Sequence, residues 1–534
     1  MRRRHLTLDP SQGSGLSAVV FSDTHAAQML ASAGRRIGCR IAMANGGQDE
    51  IVAFLSDAAH YGFPGARVER VETHCSIVFV VDDRAFKLKR AVAFSALDYS
   101  TVERREAACR AELVLNRRTA PDLYLGIRAI RRTADGTLAF GDDGPAVDWV
   151  VVMRRFDQAD LFDHMAEARR LTPDIARALA DEIARFHAVA ERTPGLGGAF
   201  GMRDAIERNR DDQLTVESIL GHAAIESVYA ASLVALKCTT DRFDRRRDTG
   251  MVRRCHGDLR LANICLFDDR PTLFDAVEFS EPISCIDVLF DLAFLLMDLH
   301  QRGLDLAANV LMNRYLDTTG DAGGLEVLPL MLSVRAATRA YTLAAAVERH
   351  SGRGESAYYT ATARAHLALA ASWLVSTSPR LIAIGGVDSS AKRALATGLA
   401  ATFSPAPGAR VLRESVAVRQ VLQRPVGSRL SAADDAATAD VGYDRLESAA
   451  ALTLRAGFSA VVDAGFVDEA RRRAIARVAA NAAVPFVGFW FGSVGDIQPY
   501  EAAAGEWHTL RRGAAAASNL TIARSLAHAG GGAA

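Results

Sequence analysis

A chain of 534 residues is too long for one hydrophobic core and indicates two or three domains of ordinary size. Apolar residues make up 49% of the chain and charged residues 24%, a balance that is typical of globular proteins and excludes an intrinsically disordered one. The formal net charge is zero, so composition gives no general attraction to nucleic acid or to an anionic membrane.

Neither the cysteines nor the apolar segments indicate secretion or membrane insertion. The seven cysteines are an odd number without a C-x-x-C pair, and we expect reduced thiols. The apolar run 367–375 is far shorter than the roughly 18 to 20 residues that span a bilayer. The basic start of the chain is not followed by the apolar core and cleavage site of a secretory signal. We therefore predict a cytoplasmic protein without a membrane segment.

Residues 1–44 show no sustained hydrophobic periodicity, and we predict a loose N-terminal extension. Met43 lies just before the first helical pattern and is a second candidate for the start of the protein. That helical pattern, 48–60, is followed by two β-rich runs, 68–81 and 84–89. Because the two runs flank a short acidic turn, they predict a β-hairpin.

Lysine is rare in this chain and occurs only at positions 87, 89, 237 and 392, whereas every other basic residue apart from histidine is arginine. A retained lysine can mark a position that needs a compact ammonium group on a slim stem. Lys87 and Lys89 lie two residues apart on the second strand of the predicted hairpin. Their side chains therefore share one face of the sheet.

The stretch 252–299 carries the densest set of candidate catalytic residues. His256 and Asp258 are followed by Asn263 and, after an apolar turn, by Asp275. Phosphoryl transfer from a nucleotide needs one carboxylate to accept the proton of the attacking hydroxyl, and an amide and a second carboxylate to hold Mg²⁺. These groups meet at one point if the intervening runs, 264–267 and 272–274, pair as antiparallel strands.

We predict that Asp258 is the catalytic base and that Asn263 and Asp275 are the metal ligands. His256 is placed with Asp258 in the catalytic set, although a satisfied structural histidine is the favoured interpretation of that residue alone.

The stretch resembles the catalytic loop of aminoglycoside phosphotransferase-like kinases, whose signature reads H-G-D-x-x-x-x-N followed by a metal-binding Asp. The resemblance implies an α+β bilobal protein-kinase-like domain over residues 45–378, with a small lobe to about 152 and a large lobe from about 153. It also implies ATP and Mg²⁺ as cofactors. Asp287 and Asp291 fall on the D-x-x-x-D run that follows in this family.

The resemblance assigns phosphate-binding roles in the small lobe. Ala85-Phe86-Lys87 resembles the alanine-x-lysine motif of the third strand in kinases, so Lys87 is the first choice for the phosphate-binding lysine and Lys89 the second. Its acidic partner on the next helix is expected to be Glu112, with Glu106 as the alternative.

Two further nucleotide contacts follow from the same resemblance. No G-x-G-x-x-G motif precedes Lys87, and the loop at this point offers the hydroxyl groups of Thr73 and Ser76 to the phosphates instead. The strand-like run 147–156 resembles the segment that connects the lobes, and its backbone near Met153 is expected to hold the adenine.

Three long helical patterns, 288–300, 328–350 and 355–375, predict a helical large lobe that walls the acceptor pocket in this family. Nothing in their side chains names the acceptor, which we expect to be a small molecule with a hydroxyl group.

A second domain is predicted over residues 379–534, ending in an Ala- and Gly-rich tail. Its first strand-like run enters a segment that resembles the P-loop G-x-x-x-x-G-K-[ST], with Gly386 and Lys392 in place. Ala391 and Arg393 occupy the positions where glycine and the magnesium-binding hydroxyl are expected. We predict an α/β P-loop NTPase-like domain with a parallel sheet that has lost catalysis, although its helix N-terminus can still hold an anion.

The order of the two domains resembles that of bacterial proteins that fuse an aminoglycoside phosphotransferase-like domain to a P-loop kinase-like domain. The favoured function is an ATP- and Mg²⁺-dependent phosphotransferase acting on a small-molecule hydroxyl, with no nucleic-acid partner evident. The alternative is a nucleotide-sensing regulatory or scaffold protein. A polynucleotide kinase is disfavoured by Arg393 and by the missing arginine-rich lid after Trp490. The sequence does not indicate an oligomeric state.

Overall fold

The computed structural model describes residues 48–73, 75–94, 97–347, 353–386, 388–492, 507–510 and 516–528. The predicted extension at 1–44 lies outside these residues. So does 493–506, the segment in which an arginine-rich lid was expected to be missing.

The first part of the chain forms a six-stranded antiparallel sheet with the order β1-β2-β3-β8-β6-β7. Its strands are β1 Glu69–Glu72, β2 Ser76–Val81, β3 Arg84–Lys89, β6 Tyr124–Arg132, β7 Leu138–Phe140 and β8 Ala146–Arg154. A separate short ladder joins β4 Ala93–Phe94 to β5 Leu97–Asp98. The run predicted as one strand over 68–81 is interrupted after Glu72, because the Thr73 N–H turns back to donate to the carbonyl of Ser76.

Two helices cover the two faces of this sheet. α1 Asp49–Leu55 packs its apolar residues on the face that carries Phe79 and Phe86, whereas α2 Val102–Asn116 packs on the opposite face. Because side chains alternate along a strand, Lys87 and Lys89 lie on the face that α2 covers. Both lysine side chains therefore lie next to side chains of α2.

The second part of the chain, up to Ser372, is largely helical. Its helices are α3 Phe162–Glu167, α4 Pro173–Val189, α5 Gly198–Leu214, α6 Glu217–Leu220, α7 His222–Asp248, α8 Glu281–Ser284, α9 Val288–Gln301, α10 Asp305–Thr319, α11 Leu328–Val347 and α12 Arg353–Ser372. Helix α9 is buried on nearly all sides, as expected of an apolar helix at the centre of a core. None of the described helices is both long enough and apolar enough to cross a membrane.

Two short antiparallel ladders lie between these helices, β9 Val252–Arg254 with β12 Cys285–Asp287, and β10 Ile264–Phe267 with β11 Arg270–Leu273. The second ladder is the predicted hairpin, but its return strand begins at Arg270 and ends at Leu273. The shift arises because the turn contains only Asp268 and Asp269, whose φ angles of 48° and 58° are left-handed, as two-residue hairpin turns require.

The last part of the chain forms a five-stranded parallel sheet with the order β14-β15-β13-β16-β17. Its strands are β13 Leu381–Gly386, β14 Arg410–Arg413, β15 Ala460–Asp463, β16 Phe486–Phe491 and β17 Trp507–Leu510. The accompanying helices are α13 Ser389–Ala400, α14 Glu414–Val421, α15 Ala432–Arg455, α16 Glu469–Asn481 and α17 Ala516–His528. Apolar clusters cover both faces of the sheet. The predicted fold class, an α+β kinase-like domain followed by a parallel α/β domain, is confirmed.

Helix α10 attaches the parallel-sheet domain to the helical part through one of its faces. Asn309 and Asn313 both donate from Nδ2 to the carbonyl of Ala409, over 2.9 and 3.1 Å. One turn further along, Asp317 forms a buried ion pair with Arg410. Residues four apart lie above one another on a helix, so these three side chains form a continuous polar strip against the second domain.

Candidate active site

The loop between β9 and β10 presents Asp258 in a closed network of hydrogen bonds. Asn263 Nδ2 donates to both the backbone oxygen and the Oδ2 of Asp258, each over 2.9 Å. Arg260 Nε donates to Asp258 Oδ1, also over 2.9 Å. All three side chains are buried. The carboxylate is therefore oriented by two residues of its own loop, one of which supplies a positive charge.

Helix α9 holds this loop through two carboxylates, of which Asp291 is fully buried and Asp298 partly buried. Asp291 accepts hydrogen bonds from the backbone N–H groups of His256 and Gly257, over 3.0 and 2.9 Å. Asp298 accepts one from the N–H of Leu261. Burial by itself raises the pKa of Asp291, but the hydrogen bond and charge of His187 and the neighbouring cations outweigh it and hold that pKa below its ordinary value. Asp291 therefore stays ionised and fixes the loop.

His256 joins the catalytic loop to the segment that carries Asp275. Its Nε2 donates to the carbonyl of Phe274 over 2.8 Å, and its own carbonyl accepts from the N–H of Val277 over 2.9 Å. Burial lowers the pKa of this fully buried imidazole, so it is neutral. Both ring nitrogens face backbone groups, with Nδ1 3.4 Å from the Asp258 nitrogen, which fits the structural interpretation of this histidine, and its place in the catalytic set stays a prediction.

Asp275 follows the hairpin in a left-handed conformation with a φ of 63°. Its N–H donates to the hydroxyl of Tyr124, and the next N–H, that of Ala276, donates to Asn116 Oδ1 over 2.8 Å. The carbonyl of Asn263 meanwhile accepts from the N–H of Phe274, which directly precedes Asp275. The two predicted metal ligands therefore lie together at the open end of the same hairpin.

The lysines of β3 converge with three carboxylates. Lys87 Nζ lies 3.0 Å from Glu112 Oε1 and 2.6 Å from Asp275 Oδ1. Lys89 Nζ lies 2.7 Å from Glu112 Oε2 and 2.5 Å from Glu278 Oε1. The structure thus places the first-choice lysine, and not the second, against Asp275.

The alternative acidic partner, Glu106, lies elsewhere. It forms a more exposed ion pair with Arg110 in the next turn of α2. Glu112 is fully buried and accepts from both lysines.

The charges in this cluster do not balance. Burial alone lowers the pKa of Lys87, but the charges of Asp275 and Glu112 outweigh it and hold the pKa well above its ordinary value. Burial raises the pKa of Asp275, and the charges of Glu112 and Glu278 raise it further, although Lys87 opposes them. Two ammonium groups thus face three carboxylates.

A further cation bound beside Asp275 would relieve this imbalance. The donor types at the end of the hairpin, the carboxylate of Asp275 and the amide oxygen of Asn263, are those that Mg²⁺ prefers. The residues present therefore fit a magnesium ion.

The other predicted nucleotide contacts are placed less favourably. The Thr73 hydroxyl donates to the Ser76 carbonyl and accepts from the Ser76 N–H, each over 2.9 Å, so this turn is closed on itself. Met153 lies inside the sheet, paired with Ala85 on one side and Tyr124 on the other, and its side chain is buried. The roles of Thr73, Ser76 and the backbone near Met153 in nucleotide binding therefore remain predictions.

In the second domain, the P-loop-like segment is occupied by its own side chains. Lys392 Nζ donates to the carbonyl of Ala464 over 2.8 Å and lies 3.4 Å from Asp463 Oδ1. The carboxylate of Asp388 accepts from the N–H groups of Ser390 and Ala391, which begin α13. An anion at this helix N-terminus has to displace Asp388.

Gly386 has a packing role in the strand, whereas its predicted role in nucleotide binding stays a prediction. It has a φ of 111°, and a Cβ at this position would lie 2.4 Å from the carbonyl of Phe491. The glycine is therefore required by the packing of β13 against β16.

Three residues of the site were missed by the sequence analysis. Arg260 lies only two positions after Asp258, a spacing that could have identified it. Glu278 is three residues after Asp275, but its partner Lys89 is distant in the chain. Nothing in the sequence indicates that the Tyr99 hydroxyl donates to Glu278 over 2.7 Å.

Comparison with known proteins agrees with this architecture. Residues 134–327 match the model of the Phosphotransferase enzyme family, and residues 381–493 match that of an AAA domain. The protein is therefore an enzyme of the phosphotransferase class that carries a P-loop-type domain at its C-terminal end. An uncharacterized protein of Mycobacterium tuberculosis (strain H37Rv) is 28% identical over 439 residues, which are 80% of this chain and 84% of that protein.

Solved structures give weaker likenesses. A choline/ethanolamine kinase family protein from Mesorhizobium loti is 16% identical with a TM-score of 0.36, covering 61% of this chain and 98% of its own. The APS kinase CysC of Mycobacterium tuberculosis, as a Cys-to-Ala mutant, is 18% identical with a TM-score of 0.21, covering 28% of this chain and 98% of its own. TM-scores this low establish nothing further about the protein.

Proposed function

We propose that the protein transfers the γ-phosphate of ATP to a hydroxyl group of a small molecule, with Mg²⁺ as cofactor. The observation that carries the proposal is the contact of Lys87 with Asp275 beside the Asp258 and Asn263 network. A phosphate-binding cation, two metal ligands and a base are thereby grouped around one hairpin end. Nucleotide phosphoryl transfer depends on this set of groups.

The residues divide the work as follows. Asp258 accepts the proton of the acceptor hydroxyl as its oxygen bonds to the γ-phosphorus and the bond to ADP breaks. Arg260 balances the charge of Asp258. Lys87, fixed by Glu112, binds the phosphates, and Asn263 with Asp275 would hold Mg²⁺. Bound Mg²⁺ neutralises phosphate charge that the protein alone does not balance.

The second domain is proposed to be a non-catalytic partner of the first. Its helix N-terminus is capped by Asp388, its lysine is turned towards Asp463, and Arg393 stands where a magnesium ligand is needed. Its polar contacts with α10 make it a support for the large lobe. The nucleotide is therefore expected to bind in the first domain.

The acceptor is proposed to enter a cavity of about 420 Å³ in the helical part of the first domain. The cavity lies among α5, α7, α9 and α11, and its size suits a small metabolite. Its walls include Asn209, Phe243, Phe290, Arg335 and Thr338.

Calorimetric titration with a non-hydrolysable ATP analogue tests the nucleotide assignment. We expect binding that requires Mg²⁺ and that Asp275→Ala weakens at least tenfold. The matched control is Asp83→Ala, which removes an exposed carboxylate in the turn between β2 and β3. We expect this variant to bind the nucleotide like the wild type. Magnesium-independent binding, or equal weakening by both variants, would contradict the assignment. Binding without turnover on any acceptor would favour a nucleotide sensor instead.

A further inference from the structure

We propose that the acceptor carries an anionic group, a carboxylate or a phosphate, and that Arg335 binds it inside the cavity. The inference rests on the function proposed above, because it treats the cavity as the acceptor site. It names the chemical class of the substrate, which the family of the domain does not.

Arg335 is a buried guanidinium with an unsatisfied nitrogen. It is 4% exposed and lines the cavity. Its Nε donates to the carbonyl of Phe290 over 3.0 Å, but its Nη2 has no hydrogen-bond partner within the described part of the chain. The guanidinium carbon lies 3.9 Å from the ring centroid of Phe290 and 4.8 Å from that of Phe294. A buried donor without a partner is costly, and a ligand oxygen in the cavity removes that cost.

Apart from its stacking on the two phenylalanine rings, the charge of Arg335 has no ion-pair partner among the described residues. Burial lowers the pKa of Arg335 to about 10, which still leaves a full cation at neutral pH. Asp291 and Asp258 are the carboxylates whose charges act on it most strongly. Asp291 is bonded to the catalytic loop and to His187, and Asp258 is paired with Arg260.

A further acidic group of the cavity wall, Asp287, already has a cationic partner. Asp287 accepts two hydrogen bonds from Arg246, over 2.7 and 2.9 Å. One turn beyond Arg335, but outside the cavity wall, Arg339 is a second desolvated cation, and burial lowers its pKa to about 10 as well. The inner end of the cavity is therefore short of negative charge.

The outer rim of the cavity carries negative charges, but these are expected to influence ligand binding less than the buried cation does. It carries Asp204, Asp211 and Asp212 on α5. Asp204 is paired with Arg208, Asp211 is exposed, and burial raises the pKa of Asp212 to about 7. The exposed charges of Asp204 and Asp211 are screened by water and Asp212 is only partly ionised at neutral pH, whereas the buried cation of Arg335 is screened much less. The inner end is thus expected to decide which acceptor binds.

The position of Arg335 also suits the reaction. Arg335 donates to the carbonyl of Phe290, and the next residue, Asp291, accepts from the backbone of the catalytic loop, so an acceptor anchored at Arg335 by its anion lies close to that loop. The proposal places the acceptor hydroxyl on the side of Asp258, which lies outside the cavity wall, while the bound anion keeps the molecule from rotating. This arrangement makes Arg335 a specificity-determining residue.

The test uses the full-length chain with Asp258→Asn, so that binding is measured without turnover. With magnesium and a non-hydrolysable ATP analogue present, paired acceptors are titrated: glycerate and glycerol, 4-hydroxybutyrate and 1,4-butanediol, and glucose 6-phosphate and glucose. Ethanolamine and choline represent cations, and inorganic phosphate is the smallest anionic probe. We expect at least one anionic member to bind more tightly than its neutral counterpart.

The contribution of Arg335 is measured with three further substitutions. Arg335→Met is expected to weaken anion binding by about 10- to 100-fold, the loss typical of a charge-assisted hydrogen bond. Arg335→Lys should keep part of the affinity, and Arg335→Glu should favour the cationic probes. Arg203→Met, an exposed arginine of α5 outside the cavity wall, is the matched control.

Neutral members that bind as well as anionic ones overturn the proposal, as does anion affinity that Arg335→Met leaves unchanged. A preference for ethanolamine or choline in the wild type overturns it too, and assigns the site to the aspartates of the rim. If the proposed phosphotransferase function itself is wrong, the result differs from failure of the anion site. In that case Lys87→Met would leave binding of the magnesium nucleotide intact. Anion binding at Arg335 without phosphoryl transfer by the wild type would refute the function and keep the anion site.

Discussion

Lys87 on β3 and Asp275 after β11 lie 2.6 Å apart from Nζ to Oδ1, and this ion pair joins the six-stranded sheet to the catalytic hairpin. Glu112 shares Lys87 with Asp275 and shares its other oxygen with Lys89. The lysine proposed to bind phosphate is therefore held in place by a carboxylate that is not one of the proposed metal ligands. A substitution in the six-stranded sheet or in the hairpin is therefore expected to disturb the same ion pair.

Replacing Lys87 should weaken nucleotide binding and turnover. Lys87→Met leaves Glu112 and Asp275 buried with one cation fewer, so we expect at least tenfold weaker binding of the magnesium nucleotide. Turnover should fall by roughly 100-fold or more, since oriented charge is the main catalytic device of such sites. Calorimetry and coupled ADP release measure the two effects. Lys237→Met, an exposed lysine of α7, is the control, and wild-type affinity in Lys87→Met would contradict the assignment.

Asp291 is predicted to be a positioning residue whose loss affects both stability and catalysis. Asp291→Asn replaces one of the oxygens that accept from the catalytic loop, and we expect roughly 2 to 3 kcal/mol of lost unfolding free energy. The turnover number should fall more than nucleotide affinity, because the loop and not the nucleotide site is disturbed. Urea unfolding and steady-state kinetics measure these changes. Asp174→Asn, whose side chain is 92% exposed, should change neither.

The stability of the protein should decline in mild acid because of His366. Burial lowers the pKa of this imidazole from 6.5 to about 4. Between these values the unfolded state binds more protons than the folded state, so stability falls as the pH falls from 6.5 to 4. The group accounts for about 3 kcal/mol over this window. His366→Gln should flatten the dependence of unfolding free energy on pH, whereas His222→Gln, at an exposed site, should leave the wild-type slope.

The second domain is predicted not to contribute a nucleotide site. Lys392→Met should leave binding of the magnesium nucleotide unchanged, because Lys392 faces Ala464 and Asp463 while Asp388 caps the helix. The same variant should lower the unfolding free energy by roughly 3 kcal/mol, since Asp463 is then buried without its partner. A second nucleotide binding event in the wild type that Lys392→Met abolishes would show that the P-loop-type segment still binds phosphates.

The sequence predicted the parts of the site that are close in the chain. The spacing of Asp258, Asn263 and Asp275 was enough to predict the hairpin and to propose its chemistry, because all three residues lie on one local structure. Lys89 and Glu278 are ion-paired although they lie far apart in the chain, and only the packing of the sheet on the large lobe joins them. The same limit concealed whether Arg335 faces solvent or a cavity, since helical periodicity does not show what lies against each face.

The P-loop-like segment also contains a simpler local pattern, the N-cap of a helix. Asp388 followed by two serines is an ordinary start of a helix, with the aspartate as its N-cap. The likeness to a P-loop suggested an anion site at the same place, and the structure shows the cap instead. For His256, in contrast, the structural interpretation favoured for the residue alone agrees with its buried hydrogen bonds to the backbone.

The central claim is tested most directly by following labelled phosphate from ATP. The wild type and Asp258→Asn are each incubated with γ-labelled ATP, Mg²⁺ and a pool of small hydroxyl compounds, and labelled products are separated from inorganic phosphate. We expect the wild type to form a labelled small molecule and Asp258→Asn to form it about 1,000-fold more slowly, with unchanged nucleotide binding. Equal transfer by the two proteins would contradict the account.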